Sequence, residues 1–264
     1  MQREGLSVST IRNTLAPLSR IFNVAARRGL VQGNPITRLD RSERPRKAGK
    51  VPKRILDRDE IARLLDSAKS YRLLLSVALN AGLRQSEILG LLWSSIDFKD
   101  GAIHVTGQLD RGRKENGIWI KAQRVEFGKT DAAHRKVELI PSDLFTALRE
   151  HKLASAYSQE DDFVFTTQVG TPIDHKDASS RGLARAKKKA NTDVAGRPNL
   201  RFHDLRHTYT SATIFAGVDV VYLSKQLGHT DPSVTLDTYA DLFEAREKAE
   251  ASRKALEASY SGLV

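Results

Sequence analysis

Residues 71–81, from Tyr71 to Ala81, are apolar on nearly every side of the helix they would form. Such a helix is stable only when other elements surround it, so the chain must build a core with this segment at its centre. With 264 residues, 40% of them hydrophobic, it has material for one large domain, or for one domain and a small companion. Gly82 ends the segment. Leu83-Arg84 then falls at a turn before a short helix carrying Glu87, Ile88 and Leu91. An arginine placed there is held by the core and still faces a surface.

Around this centre the pattern predicts an α+β chain, mostly helical, with a small antiparallel three-stranded sheet. Residues 1–39 read as a partial helical domain: Ser9-Thr10 as cap, Ile11, Leu15, Leu18, Ile21, Phe22 and Ala25 as the apolar face, Pro17 as a kink or split, Gly29 as the end and Asn34-Pro35 as a turn. Residues 40–54 read as a linker with Arg46, Lys47, Lys53 and Arg54 among its basic residues; it is either a solvated tether or a strap laid along phosphates. Residues 55–264 form the main domain. Asp57 and Glu60 make a capping box for a helix with Ile61, Leu64, Leu65 and Ala68 on one face.

Residues 102–106 and 118–127 are strand-like and flank the polar stretch 107–117, which predicts an extended hairpin. Residues 134–140 alternate as a third strand, with Val137 and Leu139 in one register and Lys136 and Glu138 in the other; Lys129 lies in the turn before it. Pro141 starts a helix through Leu148, and 163–165 is a buried extended segment. Residues 174–190 are predicted helical, with Arg181, Arg185 and Lys188 on either an ordinary exposed face or a phosphate-contacting one. Further helices are expected at 220–226, 233–239 and 242–258.

Lys and Arg number 43 against 32 Asp and Glu, a net charge of +11, which favours a polyanionic partner such as nucleic acid. The absence of cysteine excludes disulfides, thiolate metal sites and a cysteine nucleophile. Apolar runs such as 73–79 are far short of a membrane span and the N-terminus has no leader-like pattern, so a cytoplasmic protein without membrane contact is expected.

The chemistry concentrates in His203-Asp204-Leu205-Arg206-His207. On a helix His203, Arg206 and His207 share a face. The two histidines have the spacing of a zinc-protease pair, but Asp follows His203 and the arginine between them would repel a cation, so no metal is expected. Together with Arg84, Lys129, His229 and Tyr239 they form a kit for phosphoryl transfer in which cationic donors hold the phosphate charge and a hydroxyl attacks it.

Four segments carry a resemblance: AGLRQSEILGLLWSSID around Arg84, GKTDAAHRKVEL around Lys129, HDLRHTYTSATIFAGVD, and QLGHTDPSVTLDTYAD. In this order and spacing they resemble the tyrosine recombinases of the phage-integrase family, over roughly residues 55–245. The resemblance implies that family's catalytic fold and a site-specific recombinase working through a 3′-phosphotyrosyl intermediate. Tyr239 is then the nucleophile, Arg84 and Arg206 clamp the non-bridging oxygens, Lys129 protonates the leaving 5′-oxygen, His203 is general base or phosphate contact, and His229 contacts phosphate. Glu87 buttresses the arginine and His207 gives structural support. No cofactor, Mg²⁺ or ATP is needed.

The resemblance also implies a double-stranded DNA site as partner, a tetramer on DNA with a monomer in solution, an accessory bending or directionality factor, and a bacterial or phage-encoded, nucleoid-associated protein. The C-terminal helix, with Leu256 and Tyr260 as anchors, would pack on a neighbouring copy. The stretch from Leu6 to Pro35 resembles the end of the family's core-binding domain; the chain starts inside it, as either a fragment or a short enzyme. A type IB topoisomerase and a DNA-binding module without productive catalysis stand as alternatives.

Overall fold

The computed structural model describes residues 6–40, 43, 53–128, 133–192 and 196–260. The chain divides into two units, 1–52 and 53–264. Lys129, Arg46 and Lys47 lie outside the described residues.

In the first unit, α1 spans Val8–Arg27 and runs as one helix through Pro17, neither split nor divided there. Its cap is Ser7, whose Oγ accepts from the Thr10 N–H at 3.1 Å, ahead of the expected Ser9-Thr10. Asn34 is the turn residue expected. Its Oδ1 accepts from the Ile36 N–H at 2.9 Å, and its Nδ2 donates to the Ser19 carbonyl and to Asn23 Oδ1, tying the short 3-10 turn Pro35–Arg38 back onto α1.

The second unit opens on α2, Arg58–Ser67, with the predicted capping box: Asp57 Oδ1 accepts from the Glu60 N–H at 2.8 Å, and Glu60 Oε2 from the Asp57 N–H at 3.1 Å. Arg54 belongs to this unit and not to a phosphate-lying linker. Its guanidinium is 2% exposed, paired with Glu60 and donating to the Ile55 and Thr192 carbonyls. A side chain so enclosed cannot reach a phosphate.

Helix α3, Arg72–Ala81, is the expected central helix, with Leu74, Leu75, Val77, Ala78 and Ala81 all essentially inaccessible. Each buried leucine or valine contributes about 1.5–3 kcal/mol relative to exposure. Helix α4, Gln85–Leu89, follows after Gly82. The sheet differs from expectation. Strands β1 (Ile96–Asp97), β2 (Ala102–Val105) and, later, β7 (Arg135–Val137) make the three-stranded antiparallel sheet in the order β1-β2-β7, with Ile103 opposite Val137.

The stretch 107–117 is not a loop. It carries β3 (Gly107–Leu109), paired with β6 (Arg124–Glu126), and β4 (Arg113–Glu115), paired with β5 (Ile118–Ile120). Asn116 and Gly117, both at positive φ (49° and 85°), turn that hairpin. Thus 102–106 pairs chiefly with β7, and its extension β3 pairs with β6.

Pro141 precedes rather than starts α5, Ser142–Ala154. A π-helical turn, Asp177–Leu183, leads into α6, Ala184–Lys189. Helix α7, Phe202–Phe215, is buried along most of its length and packs on α3. Helix α8, Val220–Leu227, and α9, Pro232–Tyr260, complete the unit; α9 breaks at Tyr239, where φ is −127° and ψ 18°. Among the described residues no helix is long and apolar enough to cross a membrane.

Candidate active site

Arg84 is aimed by the end of α3. Gly82 adopts φ +62°, and a Cβ there would lie 2.3 Å from the Tyr209 ring, so both the turn and the packing require glycine. The chain then turns into α4, and Arg84 Nη1 donates to Glu87 Oε1 at 2.7 Å while Nη2 donates to the Gly228 carbonyl at 3.1 Å. Arg206, on buried α7, is 3% exposed. Its Nη1 donates to the Gly82 carbonyl at 2.7 Å, and its Nη2 to the Leu227 carbonyl at 2.7 Å and His229 Nε2 at 3.1 Å. The turn Leu227-Gly228-His229 therefore holds both arginines through its carbonyls.

A guanidinium has no acceptor, so His229 Nε2 accepts from Arg206, and Nδ1 carries the proton it donates to Thr235 Oγ1 at 2.8 Å. Burial, then the charges of Arg206 and Arg84, push the His229 pKa down to about 4, consistent with that neutral tautomer. Burial, with Arg84 and Arg135 adding and Glu87 opposing, brings Arg206 down to about 9, still charged at neutral pH.

Glu87 is fully buried at the centre. Oε1 accepts from Arg84 Nη1 and from Arg135 Nη1, and Oε2 from the Arg84 N–H and from Arg135 Nη2, all within 3.1 Å. Burial works to raise its pKa; the Arg135 hydrogen bond and charge, then Arg84 and Arg206, outweigh it and hold it at about 2. Arg135 was not singled out by the sequence reading. Its signal was register: it precedes Val137 by two on β7, so it points inward with the core residues. It also donates from Nε to the Gln226 carbonyl at 2.8 Å. Three guanidiniums thus face one carboxylate, and the excess positive charge marks this as a place for an anion.

Tyr239 lies beside this cluster, 3% exposed, packed with Tyr209, Ile214, Leu223 and Leu227. Its hydroxyl is 2.5 Å from His207 Nδ1. The expectation gave His207 a supporting part and made His203 general base or phosphate contact; it is His207 that touches the phenol. His203 is exposed and meets His207 edge-on, with ring centroids 4.8 Å apart. Burial, then the charges of His203 and Lys53, lower the His207 pKa to about 4, so its ring is neutral near pH 7 and able to accept the phenol proton. Burial raises the Tyr239 pKa, against the Thr210 hydrogen bond and the Arg206 charge.

Of the expected site residues, Arg84, Glu87, Arg206 and His229 form one cluster, and Tyr239, His207 and His203 another next to it. Of the expected phosphate contacts on 174–190, Arg181 is exposed but paired with Asp177 at 3.1 Å, and Arg185 and Lys188 are exposed. Among the described residues no group of three or more His, Asp or Glu side chains is placed to hold a metal.

A family model described as the phage integrase family matches residues 54–246. The chain is 31% identical over 258 residues to a tyrosine recombinase XerC-like protein of Caldanaerobacter subterraneus subsp. tengcongensis, covering 90% of this chain and 64% of that protein. It is 25% identical to the ICEBs1 integrase of Bacillus subtilis, covering 96% of this chain and 67% of the relative. It therefore spans roughly two thirds of the length of these relatives. The fold matches the Tn1549 transposon integrase solved in complex with a circular intermediate DNA, with a TM-score of 0.78 and 24% identity over 96% of this chain and 81% of that one. Since the matched span contains Arg84, Arg206, His229 and Tyr239 together with the core that aims them, the chain belongs to the phage integrase family.

Proposed function

We propose that the protein is a site-specific DNA recombinase that cuts and rejoins double-stranded DNA through a covalent 3′-phosphotyrosyl intermediate. The observation that carries this is the pair of guanidiniums of Arg84 and Arg206, held by backbone carbonyls and with neutral His229 on Arg206, beside a tyrosine whose hydroxyl meets a neutral histidine. In this reading the two guanidiniums take the non-bridging oxygens of the scissile phosphate; their planar forks suit paired oxygens better than an ammonium would. The Tyr239 oxygen bonds to phosphorus as its proton passes to His207. The P–O5′ bond breaks, and Lys129 supplies the proton that the leaving 5′-oxygen requires.

The intermediate is a phosphodiester like the one consumed, so attack by another 5′-hydroxyl rejoins strands without an energy source. Lys129 enters by sequence position alone, and His203, at the exposed edge, acts as a further phosphate contact. A working complex of four copies on DNA, joined through the C-terminal helix with Leu256 among its anchors, and helped by a bending or directionality factor, completes the reading.

The test is a nicked DNA substrate whose cut end diffuses away, analysed by denaturing electrophoresis. The wild-type chain should accumulate a covalent DNA adduct, and Tyr239→Phe should give none while its native gel shift persists. An adduct surviving in Tyr239→Phe rejects the nucleophile. A native shift with no wild-type adduct indicates binding without catalysis. Relaxation of supercoils without sequence preference would indicate a topoisomerase.

A further inference from the structure

Helix α9 is interrupted at the proposed nucleophile. With φ −127° and ψ 18°, Tyr239 leaves the helical region and α9 is kinked there. A break of this kind leaves the last carbonyls before it open to outside donors and gives that end a partial negative charge. The donor that arrives is Lys53, the first residue of the second unit. Its Nζ donates to the Thr238 carbonyl, and the same ammonium lies over the Tyr239 ring, 4.0 Å from the centroid. One cation thereby holds both the backbone and the aromatic face of the tyrosine, from 185 residues upstream of Thr238. It also adds to the positive field that keeps His207, the acceptor for the phenol, unprotonated.

We infer that Lys53 is a positioning residue for the nucleophile, clamping Tyr239 at the break in α9 so that its hydroxyl stays on His207 and beside the arginine cluster. This rests on the proposed cleavage chemistry. The role differs from that of a strap laid along phosphates, because its ammonium serves the protein's own backbone and phenol. A cation over an aromatic face is a directional contact, and displacement of a reacting atom by about 1 Å can cost a hundredfold in rate.

The experiment pairs two readouts on the full chain. In the first, Lys53→Met and Lys53→Arg are compared with wild type for adduct formation on the nicked substrate and for DNA affinity. Lys53→Met should slow cleavage about tenfold or more with the dissociation constant within about twofold, and Lys53→Arg, which keeps a cation able to sit on the ring, should recover most of the rate. In the second, the chain is labelled with 3-fluorotyrosine and its six tyrosines are followed by ¹⁹F spectroscopy without DNA. The Tyr239 resonance, identified by its loss in Tyr239→Phe, should move in Lys53→Met while the others stay, which also reports that the variant is folded.

A loss of affinity parallel to the loss of rate would make Lys53 a phosphate contact and overturn the inference. So would unchanged cleavage, or a fixed Tyr239 resonance. If the wild-type chain forms no adduct, the cleavage reading fails by itself; the ¹⁹F arm then decides alone whether Lys53 clamps Tyr239.

Discussion

The arginine cluster and the tyrosine are held in opposite ways. The cluster is fixed by main chain: Gly82, Leu227 and Gly228 carbonyls anchor Arg206 and Arg84, and one saturated carboxylate joins Arg84 to Arg135. The tyrosine sits at a helix break and is held by side chains, His207 on its hydroxyl and Lys53 on its face. A group that must stabilise charge as it develops benefits from being rigid beforehand. A group that must advance to phosphorus and later withdraw needs a mount that gives way, and a broken helix with side-chain contacts is such a mount.

The comparison can be broken most severely at Glu87. Glu87→Gln leaves the shape but removes the buried counter-charge shared by Arg84 and Arg135; loss of one partner from a buried ion pair typically costs about 3–5 kcal/mol. Chemical denaturation should report a loss of that order, and a variant as stable as wild type would show that the cluster is not held through this carboxylate. Next comes Arg206→Lys, which keeps charge but cannot reach the Gly82 and Leu227 carbonyls together with phosphate; adduct formation should slow roughly a hundredfold to a thousandfold, as for loss of one transition-state donor. Near-wild-type cleavage would refute the clamp.

On the nucleophile side the expected effect is smaller. His207→Phe should slow cleavage on the order of a hundredfold, the lower range for a positioned proton acceptor, while DNA affinity stays unchanged. An unaltered rate would return the acceptor role to His203.

The mildest test uses pH. His207 and His229 take up protons near 6.5 when unfolded but only near 4 when folded. The unfolded chain therefore binds more protons between those values, and stability must fall as pH drops from about 6.5 to about 4. As pH falls on from about 4.5 to about 2, Glu87, whose folded pKa is held at about 2, adds a second decline. The thermal midpoint, followed from pH 7 to pH 4, should drop; in a His207→Gln, His229→Gln double variant the slope should flatten.

What was legible in the sequence was whatever short-range spacing encodes. The central helix, the capping box at Asp57 and Glu60, the shared face of His203, Arg206 and His207, and the break near Tyr239 all follow from periods of three to four residues. The extended hairpin was foreseen, but the strands within 107–117 were not, because β4 is exposed on every residue and no alternation betrays it, although Asn116-Gly117 is a hairpin signal in itself. Arg135 was hidden among basic neighbours, readable only through its register with Val137.

Lys53 and Arg54 show the limit most sharply. They are adjacent and belong to one basic run, yet one reaches the tyrosine and the other is sealed against Glu60. Nothing local distinguishes them, because their partners are supplied by tertiary folding. The same holds for His207, whose partner lies 32 residues away.

The turn at Gly228 has a consequence of its own. At φ +68° it leaves no room for a side chain, since a Cβ would meet Arg135 Nη1 at 2.7 Å, and its carbonyl receives Arg84. A residue with no reactive group is thus the keystone under two guanidiniums. Substitutions here would enter a genetic screen among the catalytic defects, because the position is constrained by geometry where the nucleophile is constrained by chemistry.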